Sequence, residues 1–280
     1  MKITPLIHGT FKVDGGAMFG PVPKSMWSKK YPADENNLCT LIMRSLIIET
    51  NENLVLIDTG IGNKHSEKYL SFISPNLIDI KQNIKEKGYS LSDFTDIIVT
   101  HLHFDHAGGN TYKNEDGTIV PTFTNAKYWV TKAQVELMNN PNPREKSALF
   151  IDDILPVIKS GQLQTITKGM QLTDEITLLV SNGHTKGMIV PVIQYKNKMI
   201  VFAADLVPTM YNIHLPWISA YDNFPLTLME EKRFFLQSAV KYNYFFVFEH
   251  DLYNECATIK YNKERDKYYA KETFKLSEIF

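Results

Sequence analysis

Cysteine is scarce in this sequence. Only Cys39 and Cys256 occur among 280 residues, too few for a disulfide framework or a thiolate-rich zinc module. The start, Met1-Lys2-Ile3-Thr4-Pro5-Leu6-Ile7-His8, lacks a continuous apolar stretch followed by a small-residue cleavage site, so no export signal is read. Two reduced thiols in a cytoplasmic protein are therefore expected. Long hydrophobic runs are missing as well: nothing approaches the roughly 18 apolar residues of a membrane span. An excess of one charge is also absent. Thirty Lys+Arg against 31 Asp+Glu leave a formal charge of −1, which removes the usual warrant for binding nucleic acid or an anionic membrane. There is no internal repeat, low-complexity tract or Gly/Ser linker, so one domain covering 1–280 is expected. Hydrophobic residues at 44% and charged residues at 22% are enough to build a packed core.

What is present reads as an α/β chain. Strands are expected over Ile3 to Val13, Cys39 to Glu49 and Leu54 to Ile57. Asn51-Glu52-Asn53 forms the turn of a hairpin between the last two. Gly16 to Asn37 is broken by Pro21, Pro23 and Pro32 and is expected to be irregular rather than helical. Ser66 to Lys87 has a helical pattern kinked or split at Pro75. Asp96-Ile97-Ile98-Val99-Thr100 reads as a strand buried on both faces. Further strands are expected at Lys127 to Val130, Leu163 to Ile166, Ile176 to Val180, Ile189 to Tyr195, Met199 to Ala203 and Tyr244 to Phe248. Helices are expected around Lys132 to Met138, Glu145 to Ile158 and Leu226 to Lys241. Many strands with a few helices suggest two sheets with helices outside them, compatible with several α/β or α+β folds.

The chemistry begins immediately after the buried strand, at Thr100-His101-Leu102-His103-Phe104-Asp105-His106-Ala107-Gly108-Gly109-Asn110. Four candidate ligands lie within six positions. In an extended segment His101 and His103 point to one side. A turn into a helix would swing Asp105 and His106 toward the same point. Imidazoles and a carboxylate suit zinc, and also accept iron, manganese or cobalt. Four ligands so close strain a single tetrahedral ion, which suggests two neighbouring ions. By composition alone His-x-His-x-Asp-His would arise in roughly a few chains in ten thousand.

This segment resembles the metal-binding motif of the metallo-β-lactamase superfamily, and the similarity extends from Ile3 to about Leu252. Members then carry a lone His, an Asp and a last His, each at a strand end. Here His184, Asp205 and His250 follow in that order. Leu56-Ile57-Asp58-Thr59-Gly60 is similar to the early strand-and-turn signature, where Asp58 either fixes the turn or supports a ligand. The resemblance implies an αββα sandwich of two mixed sheets packed face to face with helices outside. It also implies two divalent metal ions, zinc above all. His101, His103 and His184 would hold one, Asp105, His106 and His250 the other, with Asp205 bridging. A hydroxide shared between the ions would then attack a lactone or ester, with Asp105 and Asp205 as the catalytic carboxylates and Asp105 relaying a proton. His8 is left without a role, and His65 reads as a surface residue.

Within the superfamily the chain looks most like acyl-homoserine lactonases and related esterases and phosphotriesterases. Gly15 to Lys24 followed by Met26-Trp27 is similar to the long N-terminal loop of that group, which pairs subunits and lines the acyl pocket. A homodimer and substrate contacts from Met18, Phe19 and Trp27 follow from the resemblance. Where several lactonases have a Tyr three positions after the bridging Asp, this chain has Pro208, with Tyr211 three residues later. Tyr211, His214 and Trp217 then belong to a substrate-facing wall or to an ordinary core. The ligands of true β-lactamases are not matched, because Asp205 stands at the bridging place and neither cysteine falls at a ligand position. The 30 residues after His250 are fewer than the helical region of glyoxalase II needs, which weakens a thioester-hydrolase reading. A phosphotriesterase or arylesterase is the nearer alternative. A di-iron redox protein and a non-catalytic zinc-binding or sensing module are the readings outside hydrolysis. The expected partner is a small-molecule substrate.

Overall fold

The computed structural model describes residues 1–280. The chain divides into two compact units: Met1–Phe11, Met43–Lys168 and Phe280 form the first, Lys12–Ile42 and Gly169–Ile279 the second. No helix is long and apolar enough to cross a membrane. Neither cysteine forms a disulfide, and both are buried.

One seven-stranded sheet is built from β1 (Lys2–Asp14), β2 (Leu38–Glu49), β3 (Leu54–Ile57), β4 (Asn76–Leu77) and β5 (Asp96–Ile98). After a separate two-stranded ribbon of β6 (Thr111–Lys113) and β7 (Ile119–Pro121), β8 (Lys127–Thr131) and β9 (Leu163–Ile166) complete it. The order is β4-β1-β2-β3-β5-β8-β9. The expected hairpin joins β2 to β3, with Glu49 opposite Leu54. From β3 through β5 and β8 to β9 the strands are parallel. Parallel strands are covered on both faces, which is why Leu54–Ile57 and Ile97–Ile98 are unbroken apolar runs. Leu56, Ile97 and Val99 pack with Leu6, Phe94, Phe123 and Tyr128 in the core of this unit. Each such large apolar side chain contributes roughly 1.5–3 kcal/mol by leaving water.

The second sheet runs in sequence order through β10 (Met170–Gln171), β11 (Ile176–Ser181), β12 (Met188–Tyr195), β13 (Lys198–Phe202), β14 (Phe245–Val247), β15 (Cys256–Asn262) and β16 (Lys267–Phe274). Every neighbouring pair is antiparallel except β13 and β14. Two reversals separate β11 from β13, so β11, β13 and β14 all point the same way and end on one edge. Parallel neighbours require a crossover.

The helices are α1 (Gly15–Phe19), α2 (Lys24–Trp27), α3 (Glu67–Ile73), α4 (Ile80–Glu86), α5 (Phe104–Ala107), α6 (Lys132–Asn139), α7 (Leu155–Lys159), α8 (Pro225–Tyr242) and α9 (Leu276–Ile279). The crossover between β13 and β14 contains α8. Proline stands in its first turn, Asn243 closes it with a left-handed φ of 53°, and Leu228, Lys232, Phe235, Leu236 and Ala239 are buried along one side.

Of the two outcomes expected at Pro75, the split is the one found: it separates α3 from α4, with Ser74 in a left-handed cap at φ 38° and a short strand between them. Two other local expectations change. Glu145 to Ile158 is not one helix: two single 3-10 turns precede α7, which starts anew with proline in its first turn. Gly16 to Asn37 contains two helical turns; Asp14 starts the first by accepting the Ala17 amide through Oδ1 at 2.9 Å.

Candidate metal centre

In the first unit the donors follow from the parallel strands. Ile57 and Ile98 are register partners, so Asp58 and the run Val99 to His101 emerge side by side where β3 and β5 end. His103 is the extended residue before α5, with φ −66° and ψ 148°, and Asp105 and His106 occupy the helix itself. This change from strand to helix brings four donors together within six residues. His101 Nε2 lies 3.0 Å from His103 Nδ1, and His106 Nε2 lies 3.6 Å from Asp105 Oδ2. All four side chains are buried.

Asp58 holds this arrangement. Its Oδ1 accepts the Thr100 amide at 2.7 Å and its Oδ2 the Thr100 hydroxyl at 2.6 Å. Oδ2 also lies 3.0 Å from His106 Nδ1. A carboxylate only accepts, so His106 carries its proton on Nδ1 and presents the Nε2 lone pair. The Thr100 hydroxyl, already donating to Asp58, accepts from His101 Nδ1 at 3.1 Å, which leaves Nε2 of that ring free of its proton too. Asp58 sits at φ 57° in the turn and also holds the ring of His106, one of the candidate ligands. Close backbone approach fixes the far end of α5. The Thr59 amide donates to His106 O at 2.8 Å, and a Cβ on Gly109 would lie 2.2 Å from Thr59 O. Gln134 on α6 accepts the Leu102 amide at 2.9 Å, and Glu145 Oε1 stands 3.6 Å from His103 Nε2.

In the second unit His184, Asp205 and His250 follow β11, β13 and β14. Phe202 and Val247 are register partners. Asp205 lies three residues beyond the first and His250 three beyond the second, so the parallel pairing sets them face to face. His184 Nε2 is 3.0 Å from Asp205 Oδ2, and His250 Nε2 is 3.2 Å from Asp205 Oδ1. Each carboxylate oxygen therefore addresses a different imidazole. The far nitrogens are anchored: His184 Nδ1 donates to Asp222 Oδ1 at 2.8 Å, and His250 Nδ1 to the carbonyl of Ile42 at 2.9 Å. Tyr31 steadies the backbone there, its hydroxyl donating to Thr40 O at 2.9 Å and accepting the Leu252 amide at 3.2 Å.

These contacts test whether a cation fits. With Nδ1 protonated, each neutral imidazole would turn an Nε2 lone pair toward an anionic oxygen at 3.0–3.2 Å, a repulsive arrangement unless a positive charge intervenes. Burial alone would lower the His184 pKa, yet Asp205 and then Asp222 overcome it and raise it to about 10. The donor set is imidazole and carboxylate throughout, with Nε2 turned to the neighbouring donors in His101, His106, His184 and His250 and Nδ1 in His103. Such a set suits divalent zinc and its neighbours in the first transition row.

The remaining candidates cluster in the second unit. Phe19 stacks on Trp27 at 5.3 Å and meets Trp217 edge-on at 5.9 Å. Tyr211 and His214 lie 6.4 and 5.7 Å from Trp217. Met18, Phe19 and Trp27 are buried, whereas Tyr211, His214 and Trp217 are partly open. Burial lowers the His214 pKa and raises that of Tyr211. His65 is not the surface residue its sequence suggests. Its ring is enclosed by Phe150 at 4.5 Å, Tyr69 at 5.6 Å and Phe104 at 6.0 Å, and burial lowers its pKa to about 4.

Residues 44–242 match the metallo-beta-lactamase superfamily. The chain belongs to that superfamily. It is a metal-dependent hydrolase of the metallo-β-lactamase fold. A probable metal-dependent hydrolase from Staphylococcus aureus superposes with a TM-score of 0.86 at 31% identity, covering 98% of each chain. The dizinc quorum-quenching lactonase AidC, in complex with the product N-hexanoyl-L-homoserine, shares the fold with a TM-score of 0.76 at 20% identity over 98% of this chain and 95% of that one. In sequence, an N-acyl homoserine lactonase of Bacillus cereus is 27% identical over 162 residues, 54% of this chain and 58% of the relative. A probable metallo-hydrolase of Mycobacterium tuberculosis is 28% identical over 116 residues, 38% of this chain and 34% of that protein. The matches thus span about a third to just over half of these curated relatives.

Proposed function

We propose that the two units form one catalytic domain holding two divalent metal ions, and that its reaction is hydrolysis of a lactone or ester, with N-acyl homoserine lactones the first candidates. His101, His103 and His184 would hold one ion, Asp105, His106 and His250 the other, and Asp205 both. The observation that carries this reading is Asp205, whose two oxygens each face a different imidazole anchored on its far side. When bound, such ions acidify water to a pKa near ~7 and polarise a carbonyl oxygen.

The chain's own residues do the rest. Asp58, Asp222 and the Ile42 carbonyl accept the Nδ1 protons of His106, His184 and His250, so any proton lost on metal binding comes from Nε2, which then presents its lone pair. Asp105 is an acceptor beside the ligands and holds the proton released to the leaving alkoxide. Tyr211, His214 and Trp217 form the open side of the aromatic cluster and contact the acyl part of the substrate. Met18, Phe19 and Trp27 support that wall from behind. The lactonase relative and the lactonase fold neighbours support a lactone over an aryl ester, phosphotriester or glutathione thioester. A homodimer is the assembly implied by the N-terminal loop, and sedimentation would measure it.

The deciding experiment compares kcat/KM of zinc-loaded protein on N-hexanoyl homoserine lactone, 4-nitrophenyl butyrate, an aryl phosphotriester and a glutathione thioester. The lactone is expected to lead by at least about tenfold, a difference of about 1.4 kcal/mol in transition-state binding. Equal or better turnover of the aryl ester removes the lactone assignment. Protein that folds, binds zinc and turns over none of the four is a non-catalytic zinc protein.

A further inference from the structure

Helix α8 lies between the two strands that present Asp205 and His250, and two adjacent side chains on it face different parts of the site's surroundings. Glu231 makes three hydrogen bonds to three consecutive residues. Its Oε2 accepts the Ser181 hydroxyl at 2.6 Å and the Gly183 amide at 2.9 Å, and its Oε1 accepts the Asn182 amide at 2.7 Å. These residues are the end of β11 and the start of the loop that delivers His184. Asn182 and Gly183 lie beyond the strand, and one carboxylate takes their amides with charge-assisted bonds. None of its bonds goes to the imidazole itself.

The opposite polarity of the same loop is held just ahead of the helix. Phe224 donates its amide to Gly183 O at 2.9 Å, and Asn223 donates to His184 O from its amide at 2.9 Å and from its side chain at 3.0 Å. There is no slack between loop and helix: a Cβ on Gly183 would lie 2.3 Å from Leu228 Cα. The loop is thus fixed through donors, acceptors and packing.

Lys232, the next residue, is fully buried and points elsewhere. Its Nζ donates to the carbonyls of His214 at 2.9 Å, Leu215 at 3.4 Å and Trp217 at 3.0 Å. Three ammonium hydrogens meet three carbonyls of the segment carrying the open aromatic wall.

We propose that Glu231 is a positioning residue for His184, and that Lys232 positions the 214–217 wall, so that one helix sets metal affinity and substrate fit through separate side chains. This rests on the metal-site reading given above. The hydrogen bonds separate, since those of Glu231 go to the His184 loop and those of Lys232 to the wall. The link between them is electrostatic, because Asp222, which accepts the His184 Nδ1 proton, also attracts the Lys232 charge.

The test uses the full chain. Zinc affinity is measured by competition with a chromophoric chelator for wild type, Glu231→Gln, Glu231→Ala and Lys232→Met, together with Tm in EDTA and KM for 4-nitrophenyl butyrate. Glu231→Ala is expected to weaken one of two zinc equivalents about 10- to 100-fold, the usual effect of losing a ligand's support. The other equivalent should stay within about twofold, and Glu231→Gln, which retains one acceptor oxygen, should fall between. Lys232→Met is expected to leave both equivalents within about twofold while raising KM about fivefold. The inference is overturned if Glu231→Ala leaves both affinities unchanged or lowers both alike, or if Lys232→Met changes zinc affinity and not KM. Should Glu231→Ala lose its folding transition in EDTA, Glu231→Gln is judged by the same criterion. Wild type that takes up no zinc overturns the metal reading itself. Wild type with two equivalents and an unresponsive Glu231 overturns only the present inference.

Discussion

His8 shows what burial does to a single titratable group. Its Nε2 lies 2.7 Å from Ser45 Oγ, and burial lowers its pKa to about 4, the backbone of Asp58 pulling weakly the other way. The folded pKa is below the unfolded value of 6.5, so the folded state binds fewer protons between the two. Stability is therefore present above pH 6.5 and is lost as pH falls toward 4, by about 3 kcal/mol for a shift of this size. Denaturant unfolding of EDTA-treated protein at pH 7 and 4.5 should show a smaller loss for His8→Asn than for wild type, by about 2–3 kcal/mol. Parallel curves for the two proteins would dismiss this account. At the site, Asp205→Asn is expected to lower kcat/KM at least about a hundredfold while the far-UV circular dichroism stays native. Asp58→Asn should lower zinc affinity about 10- to 100-fold, because the amide can donate where only an acceptor fixes the His106 tautomer.

The candidate donors stand out in the sequence for a physical reason. His101, His103, Asp105 and His106 are packed into six positions, so their clustering survives in the one-dimensional string. His184, Asp205 and His250 were legible only as a sequence order shared with a known family. Asp222, Glu231, Gln134 and Tyr31 were not legible at all. Asp222 meets His184 across 38 positions and Gln134 meets Leu102 across 32, and a lone Asp or Gln at such separation carries no local pattern.

At the scale of elements, the parallel strands were the easiest to read, because burial on both faces leaves runs such as Leu54–Ile57 with no polar interruption. The Glu145 to Ile158 segment has the apolar spacing of one helix, but separate short turns meet that spacing equally well, and Pro156 restarts the helix rather than continuing it. The β15–β16 hairpin leaves little mark in the sequence: Lys267–Phe274 is mostly exposed or half-buried, so its apolar alternation is weak. The tight approach of Gly109 to Thr59 makes an element-scale prediction. Gly109→Ala must push the α5 end away from the β3 turn, costing about 1–3 kcal/mol as overpacking. Zinc affinity should fall with it, since His106 moves with α5. Thermal unfolding and chelator competition measure the two effects, and a stable variant with unchanged affinity would refute the coupling.

For the whole molecule, zinc binding to the folded state and not the unfolded one should raise stability by about 2.7 kcal/mol per site at a hundredfold excess over Kd. For a chain of this size each kcal/mol moves Tm by about 2–4 °C. EDTA should therefore lower Tm by about 10–20 °C if two sites fill, and a scan unaffected by zinc or EDTA would exclude a metal bound by the native state. The near-zero net charge and the sequence pI of about 6.7 also place the solubility minimum close to neutrality, where turbidity during such scans should be greatest.

The pairing of Phe202 with Val247 has an evolutionary corollary. Asp205 and His250 are spaced by strand register and not by the length of polypeptide between them. Residues 209–218, which include the open aromatic wall, lie between Pro208, whose carbonyl takes the His250 amide, and the Asp222–Phe224 turn that holds His184 and its loop. Duplication, trimming or exchange of that shorter stretch can therefore retune substrate preference while the strand termini and their anchors keep their places. Chimeras that swap only this stretch should inherit a donor's selectivity and keep the recipient's zinc stoichiometry.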